Sequence, residues 1–129
     1  ESAALSVVKH DYIPKDEIKY LGNVQHKYIR KNWSSVMVFN NAKCKALTPE
    51  YVNTASGLEL HQFKWLGDND KIGALPKEFN HLVTEYDANP KAKIIHYTVG
   101  IPVWYPQCEY SDEWFEEKAL MQYCQEWKA

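Results

Sequence analysis

A chain of 129 residues with 45% apolar composition suits one folded domain and can bury roughly two-thirds of its unfolded surface. Fifteen Lys+Arg against seventeen Asp+Glu leave a formal charge of −2, which gives no basic field for nucleic acid or an anionic membrane. The longest apolar runs, such as residues 36–39, fall far short of the ~20 residues of a spanning helix, and the composition excludes disorder and collagen.

Three cysteines, Cys44, Cys108 and Cys124, are odd in number and widely spaced, so they form neither a disulfide framework nor a zinc knuckle, and the expected compartment is a reducing cytoplasm. The N-terminus has no initiator Met and no signal-peptide order, which leads us to expect a chain cut from something longer. Asn32-Trp33-Ser34 fits a glycosylation sequon that a cytosolic protein does not use. Aromatic residues make up 14% of the chain, many of them beside polar residues. Such rings either stack on sugars and nucleobases or build an aromatic-rich core.

In chain order, residues 5–9 read as a strand, followed by a polar, Pro-containing loop to about Lys31. Residues 35–39 are a short β-branched apolar run, read as a buried central strand that ends at Asn40-Asn41. Thr48-Pro49-Glu50 supplies a cap, a Pro at the first helical position and a first-turn acid, predicting a helix over 49–55. A second short helix is expected over 58–65. Gly67-Asp68-Asn69-Asp70 is a turn, and 72–83 mixes strand and irregular signals. Residues 93–98 form the next strand, and 99–106, with two Pro and one Gly, form a loop. From Ser111, expected as an N-cap, an amphipathic helix runs to about Tyr123 with Trp114 opening its apolar stripe. The class is α/β or α+β.

The most informative stretch is Lys91-Ala-Lys-Ile-Ile-His-Tyr-Thr-Val-Gly-Ile-Pro-Val-Trp104, a strand that carries His96 and then opens into a Gly/Pro loop. An imidazole near a strand end can bind a divalent metal, and a following Gly lets backbone approach a phosphate. A hydrogen-bonded core histidine is the competing reading. The stretch resembles the C-terminal motif of glycogenin-like, family 8 type glycosyltransferases, usually written His-x-x-Gly-x-x-Lys-Pro-Trp. Residues 33–40, Trp-Ser-Ser-Val-Met-Val-Phe-Asn, resemble that family's Phe-Asn-Ser-Gly-Val-Met-Leu-Ile-Asn strand. Residues 75–80, Leu-Pro-Lys-Glu-Phe-Asn, resemble its Leu-Pro-x-x-Tyr-Asn segment. The chain is also similar to a bacterial and phage branch of glycosyltransferases with comparable Lys-His-Asp-Tyr, Lys-Asn-Trp-Ser-Ser and Leu-Thr-Pro-Glu stretches.

The resemblance implies the C-terminal portion of a nucleotide-diphosphosugar-transferase (GT-A-like) fold, a mixed sheet with flanking helices, with residues 1–129 as one part of a larger domain. It implies that His96 binds a manganese or other divalent ion and that Ser34, Gln62, Gly100 and Trp104 contact the nucleotide-sugar donor. Asn80 falls on the acceptor side. Apart from the resemblance, His10 and Asp11 at the end of the first strand either position a polar acceptor group or form a satisfied His–Asp turn. Gly100 stands one place late, and Pro102 replaces the family's phosphate-binding Lys. Asp68-Asn69-Asp70 is a solvated turn rather than the family's Asp-x-Asp metal motif, and its following residues do not fit a calcium loop.

Lys27, Arg30 and Lys31 near Tyr28 and Trp33 either meet a phosphate or sugar or form a solvated face. No Gly-x-Ser-x-Gly elbow or Gly-rich phosphate loop is present. Two expectations follow. The first is part of a cytoplasmic, metal-dependent glycosyltransferase moving a sugar from a nucleotide diphosphate to an unidentified acceptor. The second is a non-catalytic carbohydrate-binding or structural domain. A homo-oligomer is a further possibility, through apolar surface left exposed.

Overall fold

Ala4, Leu5, Val7 and Val8 are the most deeply buried run of the chain, each fully shielded from solvent. The computed structural model, which describes residues 2–15, 28–67 and 70–126, makes this run the centre of a mixed sheet. Strand β1, Leu5–Val7, pairs antiparallel with β2, Met37–Phe39, and parallel with β3, Ile72–Ala74. Leu5 faces Phe39 on one side and Ile72 on the other, and Val7 faces Met37 and Ala74. Alternation places Leu5 and Val7 on the face that packs against Phe63 and Trp65, with Trp33, Leu47, Tyr51 and Ile72 around them.

The expectation of a buried central strand over 35–39 is corrected here. β2 is an edge strand, and Val38 is 57% exposed. Among the described residues only β1 has partners on both sides, so the apolar run at 36–39 marks pairing with β1 rather than a central place.

A second, two-stranded parallel sheet joins β4, His81–Val83, to β5, Ile95–Tyr97, with Leu82 opposite His96. β4 is buried along its whole length. The small mixed α/β architecture agrees with the expected class.

Helix α1, Pro49–Thr54, starts as its sequence demands, with the Thr48 side chain accepting from the Tyr51 amide at 3.2 Å. Helix α2, Gly57–His61, is shorter than the expected 58–65 and opens with a capping box in which Ser56 and Glu59 exchange bonds. It stops because Phe63 adopts φ 57°, while Lys64 N–H donates to the Glu59 carbonyl and Phe63 N–H to that of Leu60. This is the left-handed helix ending that glycine usually supplies. The strain of about 1–2 kcal/mol is offset by a ring that is almost wholly buried.

Helix α3 spans Ser111–Glu126, and Ser111 is its first helical residue rather than its cap. Tyr110, at φ 60°, precedes it and accepts from the Trp114 amide. Its apolar side chains Phe115, Leu120, Met121 and Tyr123 are exposed, so the predicted stripe is not buried among the described residues. Asp70 closes a turn with the Gly67 amide at 2.8 Å, whereas residues 68–69 lie outside the described residues.

Close approach explains Gly73, because a Cβ there would meet Ser6 Oγ at 2.4 Å and the Ala3 Cβ at 3.1 Å. Gly73→Val is expected to lower stability by about 1–3 kcal/mol through overpacking between β1 and β3, read as a fall in the urea unfolding midpoint.

Candidate functional site

Where β1 ends, the chain runs out through Lys9, His10, Asp11 and Tyr12 and meets residues 28–33 returning beside it. These two segments enclose a cleft of about 590 Å³ lined by Lys9, His10, Asp11, Tyr12, Tyr28 and Ile29 on to Trp33. The returning wall is fixed by backbone that few residues adopt, with Arg30 and Asn32 both at φ 61°. Side chains lock it further. Trp33 Nε1 donates to the His10 carbonyl at 2.8 Å, Asn32 Nδ2 donates to the Tyr12 hydroxyl, and Arg30 donates to the Gln62 carbonyl.

The cations of the cleft sit against rings. The Arg30 guanidinium lies 5.8 Å from the Trp33 ring and 5.9 Å from Phe63, and the Lys31 ammonium lies 5.5 Å from Tyr28. Lys31 is buried, so the solvated-face reading of this charge run is corrected, while Lys27 lies outside the described residues. With Lys9, the described lining of the cleft holds three cations and the carboxylate of Asp11. That charge balance favours an anionic ligand.

His10 is shared between the cleft and the interior. Its Nδ1 lies 2.8 Å from the Tyr86 hydroxyl, and its ring packs against Tyr12 and Tyr86. Burial first, and then the positive charges of His96 and Lys77, push its pKa down to about 4, so the ring is neutral at pH 7. The Lys77 ammonium lies 5.3 Å from the Tyr86 ring. Burial and the neighbouring Glu85 carboxylate push the Tyr12 hydroxyl upward, and Tyr86 moves the same way.

Of the residues singled out in the sequence, the cleft gathers His10 and Asp11, together with Arg30, Lys31, Tyr28 and Trp33. The others lie elsewhere. Asn80 is fully buried; its Nδ2 donates to Ser35 Oγ at 2.7 Å and its Oδ1 meets His96 Nδ1 at 3.2 Å. Ser34 Oγ lies 2.6 Å from His61 Nδ1, beside a smaller apolar cavity of about 180 Å³. Gln62 ends α2. Gly100 and Trp104 lie in the loop after β5, where the Trp104 amide donates to the Ile101 carbonyl and the ring is half exposed.

No functional role is expected from sequence for His81, Glu85 and Tyr86, and only the His10-Asp11 pair points to their neighbourhood, because they lie over 60 residues away from it in the chain.

Among the described residues, no three His, Cys, Asp or Glu side chains gather as metal ligands. They offer His96 as one imidazole, with its Nδ1 already facing Asn80, and do not by themselves form a manganese shell.

Comparison with known proteins gives one relative, Protein CDI of Arabidopsis thaliana, 44% identical over 124 residues that take in 88% of this chain and 47% of that protein. The chain thus spans about half the length of the curated relative it matches. No protein-family model and no solved structure matches the chain. These findings overturn the resemblance to glycogenin-like glycosyltransferases and their bacterial and phage branch: the match is to Protein CDI, and no glycosyltransferase family is returned. Among the described residues, no helix is long and apolar enough to cross a membrane.

The shift at His10 has a defined consequence for stability. The unfolded ring titrates near 6.5 and the folded one near 4, so between these values the folded chain binds fewer protons. Stability is fully present above the unfolded pKa and falls as pH drops through this window, by up to about 3 kcal/mol. His81, also lowered by burial, adds to the same trend. Urea midpoints measured from pH 7 to pH 4.5 are expected to decline, and the decline is expected to be shallower in His10→Gln.

Proposed function

We propose that the chain is part of a glycosyltransferase in which the cleft at the end of β1 binds the diphosphate of a nucleotide-sugar donor. The observation that carries this reading is the meeting of Lys9, Arg30 and Lys31 with Trp33, Tyr12 and Tyr28 in one cleft of about 590 Å³. Cations that bind phosphate and rings that stack on a base or pyranose are the two halves such a donor requires. In this reading the anomeric carbon's bond to the diphosphate breaks, and its electron pair leaves with the nucleoside diphosphate. A bond forms from the acceptor oxygen to that carbon. The cations stabilise the charge growing on the diphosphate, and they act more strongly in a partly enclosed cleft than in water. Asp11, the carboxylate among the described residues of the cleft, takes up the acceptor's proton.

A second reading, binding of a phosphorylated carbohydrate without transfer, draws on the absence of a second carboxylate from the described lining. Turnover separates the two. Titration calorimetry with a panel of nucleotide-sugars is expected to show saturable binding that weakens about ten-fold in Lys9→Ala and in Arg30→Ala, the loss of one charge-assisted contact. Release of nucleoside diphosphate in the presence of sugar acceptors marks the transferase. A folded chain that binds none of the panel overturns the transferase reading, and one that binds no sugar phosphate either overturns both.

A further inference from the structure

Directly behind the wall of the cleft lies a group of polar atoms with no hydrogen-bond partner among the described residues: His10 Nε2, His81 Nε2, Thr84 Oγ1 and Glu85 Oε1. His10 and His81 both pack on Tyr86, whose ring centroid lies 5.7 Å from that of His10 and 6.2 Å from that of His81, with Tyr12 at 6.0 Å, while Thr84 and Glu85 directly precede Tyr86 in the chain. His10, His81 and Glu85 are only 6%, 3% and 6% exposed. Buried polar atoms in folded proteins nearly always have partners, so four orphans in one place need an explanation.

The backbone here is strained as well. Thr84, a β-branched residue, is held at φ 71° just after β4, and this turn brings Glu85 and Tyr86 under residues 10–15. One oxygen of Glu85 is occupied, because Oε2 accepts from the Lys15 amide at 3.0 Å. The other is not. No ion pair joins the Glu85 carboxylate to a cation among the described residues, although Lys77 caps the Tyr86 ring.

We propose that this shell is a hydroxyl-reading subsite that takes the sugar ring of a sugar phosphate, the phosphate lying on the cations of the cleft. The inference rests on the anion-binding reading of the cleft given above. Each sugar hydroxyl both donates and accepts, so one ring can serve a carboxylate oxygen that only accepts and imidazole nitrogens that donate or accept according to tautomer. The Tyr12 and Tyr86 rings supply the apolar faces on which a pyranose packs. His10 joins the two regions, since it lines the cleft and bonds to Tyr86. Entry opens the Lys15 to Glu85 bond, which frees the second oxygen of the carboxylate, while the His10 to Tyr86 bond holds the wall in place.

The test compares inorganic phosphate, phenyl phosphate and glucose 1-phosphate by titration calorimetry on the full chain and on Glu85→Gln. Glucose 1-phosphate is expected to bind about ten-fold more tightly than either of the other two, and Glu85→Gln is expected to remove that advantage while leaving inorganic phosphate unchanged. Equal binding of all three by the native chain overturns the subsite and leaves the anion cleft standing. Binding of none overturns the cleft and the subsite together. The native comparison decides the matter even where the variant does not fold.

Discussion

The two-sided pairing of β1 is the constraint from which the rest of the structure follows. Leu5 and Val7 are buried on the core face while their backbone serves β2 on one side and β3 on the other, so the strand can neither shift register nor turn over without losing both ladders and the core. That fixes the direction in which the chain leaves the sheet. Val8 is still fully buried, and the next residues, Lys9 to Tyr12, must emerge at one end of the sheet, where the cleft forms. The amide of Leu75 continues the ladder by donating to the Val7 carbonyl at 2.8 Å, which delivers Pro76 and Lys77 to the same end. A short strand thus decides which charges share a site.

A buried amide links the segment before β2 to the second sheet. Asn80 is enclosed completely, and its amide spans from Ser35 to His96, linking the turn before β2 to β5. Within the second sheet Thr98 donates to the Val83 carbonyl at 2.8 Å, and beyond it Tyr110 grips Asn89 through both backbone groups. Networks of this kind impose a single geometry because every lost partner leaves a buried polar group exposed to an apolar surrounding. They add specificity and less net stability than the same volume of hydrocarbon would.

Local signals were legible wherever the chemistry was local. Thr48-Pro49-Glu50 encodes the start of α1 without help from the rest of the chain, and the apolar runs at 5–8 and 94–97 contain β1 and β5. Long-range placement was not legible. The run at 36–39 is as apolar as a central strand, yet it pairs on one side only, and nothing in its residues distinguishes the two cases. The end of α2 is a similar case, because Phe63 stands where glycine is expected and only its burial against Leu5, Val7 and Trp65 shows why. The charge run at 30–31 was read as either solvated or ligand-facing, and the choice depended on Tyr28, Phe63 and Trp33 closing around it. Motifs that suggested a glycogenin-like enzyme hold scaffold positions in this fold: Ser35 and Asn80 bond to each other, and Leu75 extends a ladder.

Polar burial shows where this molecule departs from a fold optimised for stability alone. His10, His81, Glu85, Asn80 and Lys31 are all buried, against a core of few large apolar side chains. In Asn80 the arrangement is satisfied, with both ends of the amide bonded. In His10, His81 and Glu85 it is not, since each keeps one buried atom without a partner among the described residues. Their grouping around one tyrosine, beside a strained Thr84 and against the wall of the cationic cleft, separates them from defects scattered through a core. Unsatisfied groups and backbone strain persist only where the surrounding structure over-determines them, and that is the usual condition of a site shaped for something other than its own folding.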